Sequence, residues 1–421
     1  RVSTLVLGGL GVGLAFRLLR ERGVAAPVAL LGASCLLAQP VYVALSHTFM
    51  TDVPFVTLLL ASSLCLMRAL DSGRTTPLVV GTLLAVLATL VRQVGLILPL
   101  AFAVAGSARW GLRRSTLLRV LPPLLIVGAS LPLSRAWIDR HLGLPALYDT
   151  RDAGLREALL DLAHLHLGVL RLPLERTGFL FLHLGLSLLP LLLVLLAARA
   201  RTHRGVLLAA LGMGVLFAGG LLVLGVRFPR EDVGNIWLGL AVGPRTLPGA
   251  PPALPAAVLL VITVLASLGA GALAALVGDA LGRAARDFRS GPRSVHALFL
   301  LALMVIGFAP FALAYGAHFD RYALFMVPLV PGLLLLRDVP VVSRRLLGPA
   351  FAWVLLVAFF SAAATHDYLA GQRAVWALAE AHQRSQPDVP IEAGFEYDNY
   401  QQQHAEMFAG APRTNALADR A

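Results

Sequence analysis

Apolar runs close to 20 residues long recur along almost the whole chain, separated by short polar breaks. About 20 helical residues cross the hydrocarbon core of a bilayer with every backbone group bonded within the segment. The residues are 58% hydrophobic and only 14% charged, a balance that soluble domains rarely carry. A β-barrel would instead show short alternating segments. The sequence therefore predicts an all-α polytopic membrane protein. Twelve apolar segments are legible: 2–19, 24–45, 53–70, 76–91, 94–108, 116–134, 178–198, 204–224, 253–277, 295–315, 322–337 and 348–365. Pro40, late in the second, kinks or ends it. The reading takes 1–365 as a transmembrane domain and 366–421 as an extracytoplasmic tail or partial soluble cap.

The formal charge is +12, all of it from arginine, since no lysine occurs. The arginines form short clusters between apolar runs: Arg17, Arg20 and Arg22; Arg68 and Arg74; Arg109, Arg113 and Arg114; Arg199, Arg201 and Arg204; Arg283, Arg286, Arg289 and Arg293; Arg337, Arg344 and Arg345. If the twelve segments alternate, all these clusters fall on one side, which is the cytoplasmic side. This pattern argues against nucleic acid as a partner. The long loop 135–177 holds six arginines and is a counterweight, but long loops are weaker topology signals. Arginine in place of lysine, with abundant Ala, Gly and Leu, suggests GC-rich coding and a bacterial inner or plasma membrane. Cys35 and Cys65 both lie within apolar segments, which speaks against a disulfide framework. The chain opens on Arg1 rather than Met and enters an apolar run at once, so the natural protein is expected to extend further toward its N-terminus.

The stretch Ser46–Phe55, SHTFMTDVPF, puts Asp52 in a gap between two spans. A carboxylate beside lipid is costly and marks a functional site by default. An N-cap for the helix that starts at Val53-Pro54 is the competing reading. Ser46, His47, Thr48 and Thr51 add polar partners. Arg92 interrupts LLAVLATLVRQVGLILP, either as a phosphate ligand with forked donors or as a snorkelling helix end. HFDRYALFMVPLVP brings Asp320, Arg321 and Tyr322 to a membrane surface, as an ion pair with an aromatic-belt tyrosine or as an anion site. Arg227 and Arg230 form a third basic site. By the alternating topology, the Asp52 loop, Arg92, Arg321 and loops 135–177 and 225–252 share the external face. Three basic sites on one face suit a phosphate-bearing lipid better than an aqueous sugar.

The stretch 154–172 reads as an amphipathic helix with Glu157, Asp161 and His164 on one face, either a solvated face at the membrane surface or the edge of a site. In the tail, 374–384 reads as a helix and 391–397 as a strand. Glu392, Glu396, Asp398 and Asn399 are acceptor-side candidates or ordinary solvated residues.

The opening RVSTLVLGGLGVGLAFRLLRERG, then ALSHTFMTDVPF, then LLAVLATLVRQVGLILP and the late HFDRYALFMVPLVPGLLLL resemble, in order and spacing, the GT-C membrane glycosyltransferases. The resemblance is to bacterial glycosyltransferase family 39 and its relatives: protein O-mannosyltransferase-like, aminoarabinose-transferase-like and RgtA/B/C/D-like enzymes. It covers about 1–110 and 295–400. It implies a polyprenyl-phosphate sugar donor, transfer with inversion to a protein, lipid or glycan acceptor, and an active site of extracytoplasmic loops. It also implies a main catalytic base in the first external loop. On this resemblance the chain begins at the family's second span, the main base lies upstream of Arg1, and Asp52 is the second, auxiliary acidic position. Arg92 stands where relatives often carry lysine, and Arg321-Tyr322 matches a recurrent RY. The resemblance further implies that Arg92 or Arg321 stabilises the leaving phosphate, while Asp52 orients the acceptor or holds a divalent cation. His47, Asp320 and Glu396 are candidates for the acceptor edge. No other cofactor is implied.

Two other classes remain open from the residues alone. A transporter or flippase would line a path through both leaflets with ionisable groups, yet segments 178–198, 204–224 and 253–277 are almost free of charge. The third reading is a non-catalytic or degenerate homologue.

Overall fold

A computed structural model of the chain describes residues 2–48, 50–141, 171–200, 203–225, 255–286, 292–313, 320–336 and 342–386, with Leu160 and Phe228 besides. Among these, secondary structure is helical throughout. The helices are α1 (Val2–Glu21), α2 (Ala26–Ala38), α3 (Pro40–Ser46), α4 (Asp52–Ser72), α5 (Thr75–Val91), α6 (Ile97–Trp110), α7 (Arg114–His141), α8 (Arg171–Ser187), α9 (Leu189–Ala200), α10 (Arg204–Val223), α11 (Ala256–Arg286), α12 (Pro292–Leu313), α13 (Leu329–Leu334) and α14 (Arg344–Ser385). Two 3-10 turns, Gln93–Leu96 and Asp320–Met326, lie among them. The chain is an all-α polytopic membrane protein.

Several of the twelve apolar segments are bent or shortened in the structure. Among the described residues, eight helices are long and apolar enough to cross a membrane, or ten if each of two bent pairs counts as one span. The bend of 62° between α2 and α3 falls at Pro40, as the sequence predicts. The bend of 85° between α8 and α9 divides a segment read as continuous. Pro190 is the reason: it has no N–H to give and its ring crowds the carbonyl four residues earlier. Segment 322–337 is no continuous span either. Its two prolines, Pro328 and Pro331, leave a 3-10 turn and the six-residue α13, both largely buried. Segment 76–91 becomes α5, an apolar helix of 17 residues that stops at Arg92. At the C-terminal end, α14 runs unbroken for 42 residues across the boundary drawn at 365/366 and includes the helix expected at 374–384. The strand expected at 391–397 and most of the 154–172 helix lie outside the described residues.

The bundle is built around α4, which is buried along most of its length, whereas α10 and α14 are mostly exposed. Leu83 and Leu87 of α5, Leu118 and Leu125 of α7, Leu208 and Leu216 of α10 and Leu355 and Phe359 of α14 form its apolar exterior. In lipid such side chains gain nothing by burial, so helix association rests on close packing and interhelical hydrogen bonds. Both devices are present. Side-chain hydroxyls donate to carbonyls of neighbouring helices: Thr57 to Leu7 at 2.8 Å, Tyr42 to Gly8 at 2.8 Å, Ser62 to Gly81 at 2.8 Å and Ser361 to Ala38 at 2.6 Å. Small residues let backbones meet. A Cβ on Gly185 would overlap the α11 backbone at Gly269 and Ala270, and one on Gly271 would overlap the α10 backbone at Ala210 and Gly214.

The far end of α4 is tied to α1 and α12 by charge. Arg17 Nε donates to Glu21 at 2.8 Å, and Arg68 Nε reaches the same carboxylate at 3.1 Å. Arg22 contacts His296 Nδ1 at 2.9 Å, and His296 Nε2 lies 2.9 Å from Asp71. The His296 ring thus lies between Arg22 and Asp71. This arginine-rich end and the candidate site lie at opposite ends of α4, a helix of 21 residues and so about 30 Å long.

Candidate functional site

The site forms where three irregularities meet at one end of the bundle: the start of α4, the break between α5 and α6, and the 3-10 turn Asp320–Met326. The break is fixed by local chemistry. Arg92 leaves helical geometry (φ −148°, ψ 129°), while its N–H still donates to Ala88 O at 2.9 Å. Gly95 then donates to Arg92 O at 2.8 Å and folds against Thr89 so closely that a Cβ would sit 2.5 Å from the Thr89 nitrogen. Only glycine permits that approach. Gly95→Ala is therefore expected to displace Arg92 from its place beside Asp52 and lower the protein's activity. Unchanged activity of purified Gly95→Ala would show that Arg92 does not depend on this turn.

Asp52 is the first residue of α4, and Thr51 occupies the N-cap position without a side-chain capping bond. The N-cap reading of Asp52 is thus replaced. Its carboxylate turns toward the break and forms an ion pair with Arg92 Nη1. The Asp52 side chain is 3% exposed and that of Arg92 20%, so this pair is well removed from solvent. The helix N-terminus adds to the stabilisation of the carboxylate.

From the 3-10 turn, Arg321 Nη1 donates to Met50 Sδ at 3.5 Å. Tyr322 presents its ring to two guanidiniums, with Arg92 Cζ 5.9 Å and Arg321 Cζ 5.8 Å from the centroid, within cation–π range. Phe311 also stacks on this ring, at 4.4 Å and 17°. Phe55 and Phe325, edge to face at 6.3 Å, form an apolar floor. The pocket is a narrow, partly open cleft with about 10 Å³ of space for water-sized groups. Its charged lining is Asp52, Arg92 and Arg321, two cations against one anion. A net positive, partly apolar cleft suits an anion carried on an apolar body.

Four residues singled out in the sequence, Asp52, Arg92, Arg321 and Tyr322, are thus brought into one pocket from positions up to 270 apart. Asp320 is buried at the start of the same turn. His47 stands apart at the end of α3, its Nδ1 2.8 Å from Val43 O, and does not line the pocket. Arg227, Arg230 and Glu396, with Glu392, Asp398 and Asn399, lie outside the described residues. So does Arg1. Among the described residues, Asp52 is the carboxylate that lines the pocket. Among the described residues no three of His, Cys, Asp and Glu group closely enough to hold a metal ion. Asp52 faces the Arg92 guanidinium.

Residues 1–137, which include Asp52 and Arg92, match the family model described as dolichyl-phosphate-mannose-protein mannosyltransferase. This match supports a membrane glycosyltransferase of the GT-C type. Arg321, Tyr322 and Phe311 lie outside the matched residues and meet Asp52 and Arg92 at the pocket. No curated protein and no solved structure matches the chain.

Sequence reasoning missed Phe311, Met50 and Arg176. Arg176 is a buried guanidinium of α8, 7% exposed, that donates to the carbonyls of Phe311 at 2.7 Å and Ala312 at 3.4 Å. A signal for it exists in the register, because Arg176, Leu180 and Leu184 are spaced four apart and all are buried.

Proposed function

We propose that the protein moves a sugar from a polyprenyl-phosphate donor to an acceptor hydroxyl or amine at this pocket, on the extracytoplasmic face and with inversion. The observation that carries this reading is the convergence of Arg92 and Arg321 on Tyr322, in an apolar cleft at the end of the bundle remote from the Arg17–Arg22 cluster. The donor's phosphate meets the two guanidiniums, and its isoprenoid tail lies along the apolar exterior. The acceptor oxygen or nitrogen attacks the anomeric carbon from the face opposite the phosphate, and the carbon–oxygen bond to phosphate breaks. Negative charge grows on the departing phosphate, where preorganised cations act most strongly. The acceptor's proton passes to a carboxylate that acts as general base. Asp52 is the auxiliary acid, which holds Arg92 in the cleft.

The test is sugar transfer by the protein in sealed vesicles supplied with a labelled polyprenyl-phosphate sugar. Arg321→Met is expected to raise the donor KM about tenfold, the worth of one charge-assisted hydrogen bond. Asp52→Asn is expected to lower kcat. Solute flux without sugar transfer would replace this reading by the transporter, and full activity of Asp52→Asn would remove Asp52 from the scheme.

A further inference from the structure

Arg176 sits on α8, outside the pocket lining, and reaches the backbone of α12. Phe311 and Ala312 lie in the last described turn of that helix. Their carbonyls receive Arg176 Nη1. Pro310 has just interrupted the ladder of the same helix, so the turn that bears Phe311 is held less firmly by its own backbone. The Phe311 ring in turn stacks on Tyr322, the ring that both pocket arginines face. A continuous series of contacts therefore runs from Arg176 through the Phe311 backbone and ring to Tyr322.

We infer that Arg176 is a positioning residue for the donor-phosphate site: by fixing this turn of α12 it sets the Phe311–Tyr322 stack against which Arg92 and Arg321 are oriented. This rests on the proposed glycosyltransferase reading for its kinetic consequence, though not for its geometry. A guanidinium buried only to fasten two helices would leave Tyr322 indifferent to its loss. A positioning residue would not.

Two readouts separate these cases. In the full chain carrying 3-fluorotyrosine at position 322, the fluorine resonance without substrate is expected to shift when Arg176→Met is introduced, because the stacked ring current changes. In transfer assays the same variant is expected to raise the donor KM about tenfold with kcat within about twofold, the pattern of lost binding rather than lost chemistry. Phe311→Leu is expected to raise KM alike, and Arg176→Met with Phe311→Leu to be no worse than the more severe single change, since both act on the Tyr322 ring. Arg176→Lys, which keeps a cation able to reach both carbonyls, is expected to fall between wild type and Arg176→Met, and it carries both readouts if the methionine variant does not fold. An unmoved fluorine resonance, or effects of Arg176 and Phe311 that multiply, overturns the inference. Absence of transfer by wild type overturns the glycosyltransferase reading instead, and the fluorine resonance still decides the role of Arg176.

Discussion

Replacing Asp52 alone with alanine is expected to destabilise the protein more than replacing Asp52 and Arg92 together. The two side chains form an ion pair with 3% and 20% exposure. Removing one partner of a pair so enclosed leaves the other charge uncompensated, at a cost of about 3–5 kcal/mol, whereas exchange of both for apolar groups is often near neutral. Asp52→Ala should therefore show a lowered unfolding midpoint in a detergent-solubilised denaturant titration, and Asp52→Ala with Arg92→Met should recover most of it. The double variant should be inactive despite this recovery, because the pocket then keeps only one of its cations. Single effects that simply add would show that the pair contributes no coupling and that each residue acts through other contacts.

Gly271→Leu is expected to prevent α11 from seating between α8 and α10. The glycine faces backbone atoms of Ala210 and Gly214, which cannot rotate away as a side chain would. Overpacking of a core commonly costs about 1–3 kcal/mol, and a backbone obstacle puts this case at or beyond the upper end. The expected result is loss of the monodisperse peak in size-exclusion chromatography. Gly278→Ala is the control in the same helix: nothing stands within 4 Å of its added Cβ, so its melting behaviour should match wild type. Equal behaviour of the two variants would mean that the contact of α11 with α10 is dispensable.

The spans that carry ordinary apolar sequence were legible because length alone sets them. Pro40 announced its bend, and Asp52, Arg92, Arg321 and Tyr322 stood out as polar residues in apolar surroundings. What was not legible is pairing. Nothing near Asp52 in the sequence names Arg92, 40 positions away, as the partner that takes its carboxylate from the N-cap role. Pro190 and the Pro328–Pro331 pair were visible, but proline within an apolar run can kink, break or be accommodated, and neighbouring helices decide which. Arg176 was counted among the six arginines of loop 135–177 as evidence against the topology. Its burial removes it from that count, since a guanidinium spent on helix carbonyls is no surface charge for the membrane to read.

The length of α14 has a consequence at the pocket's own end of the molecule. The helix follows α2 and α3 in the same direction, with Ser361 at Ala38 and Tyr368 beside Ala44, where α3 approaches its end. The stretch from Leu369 to Ser385 continues past that point, about 25 Å at 1.5 Å per residue. It lies on the side of α3. On the proposed function, an acceptor that approaches from that side meets this stretch of helix before it reaches the pocket.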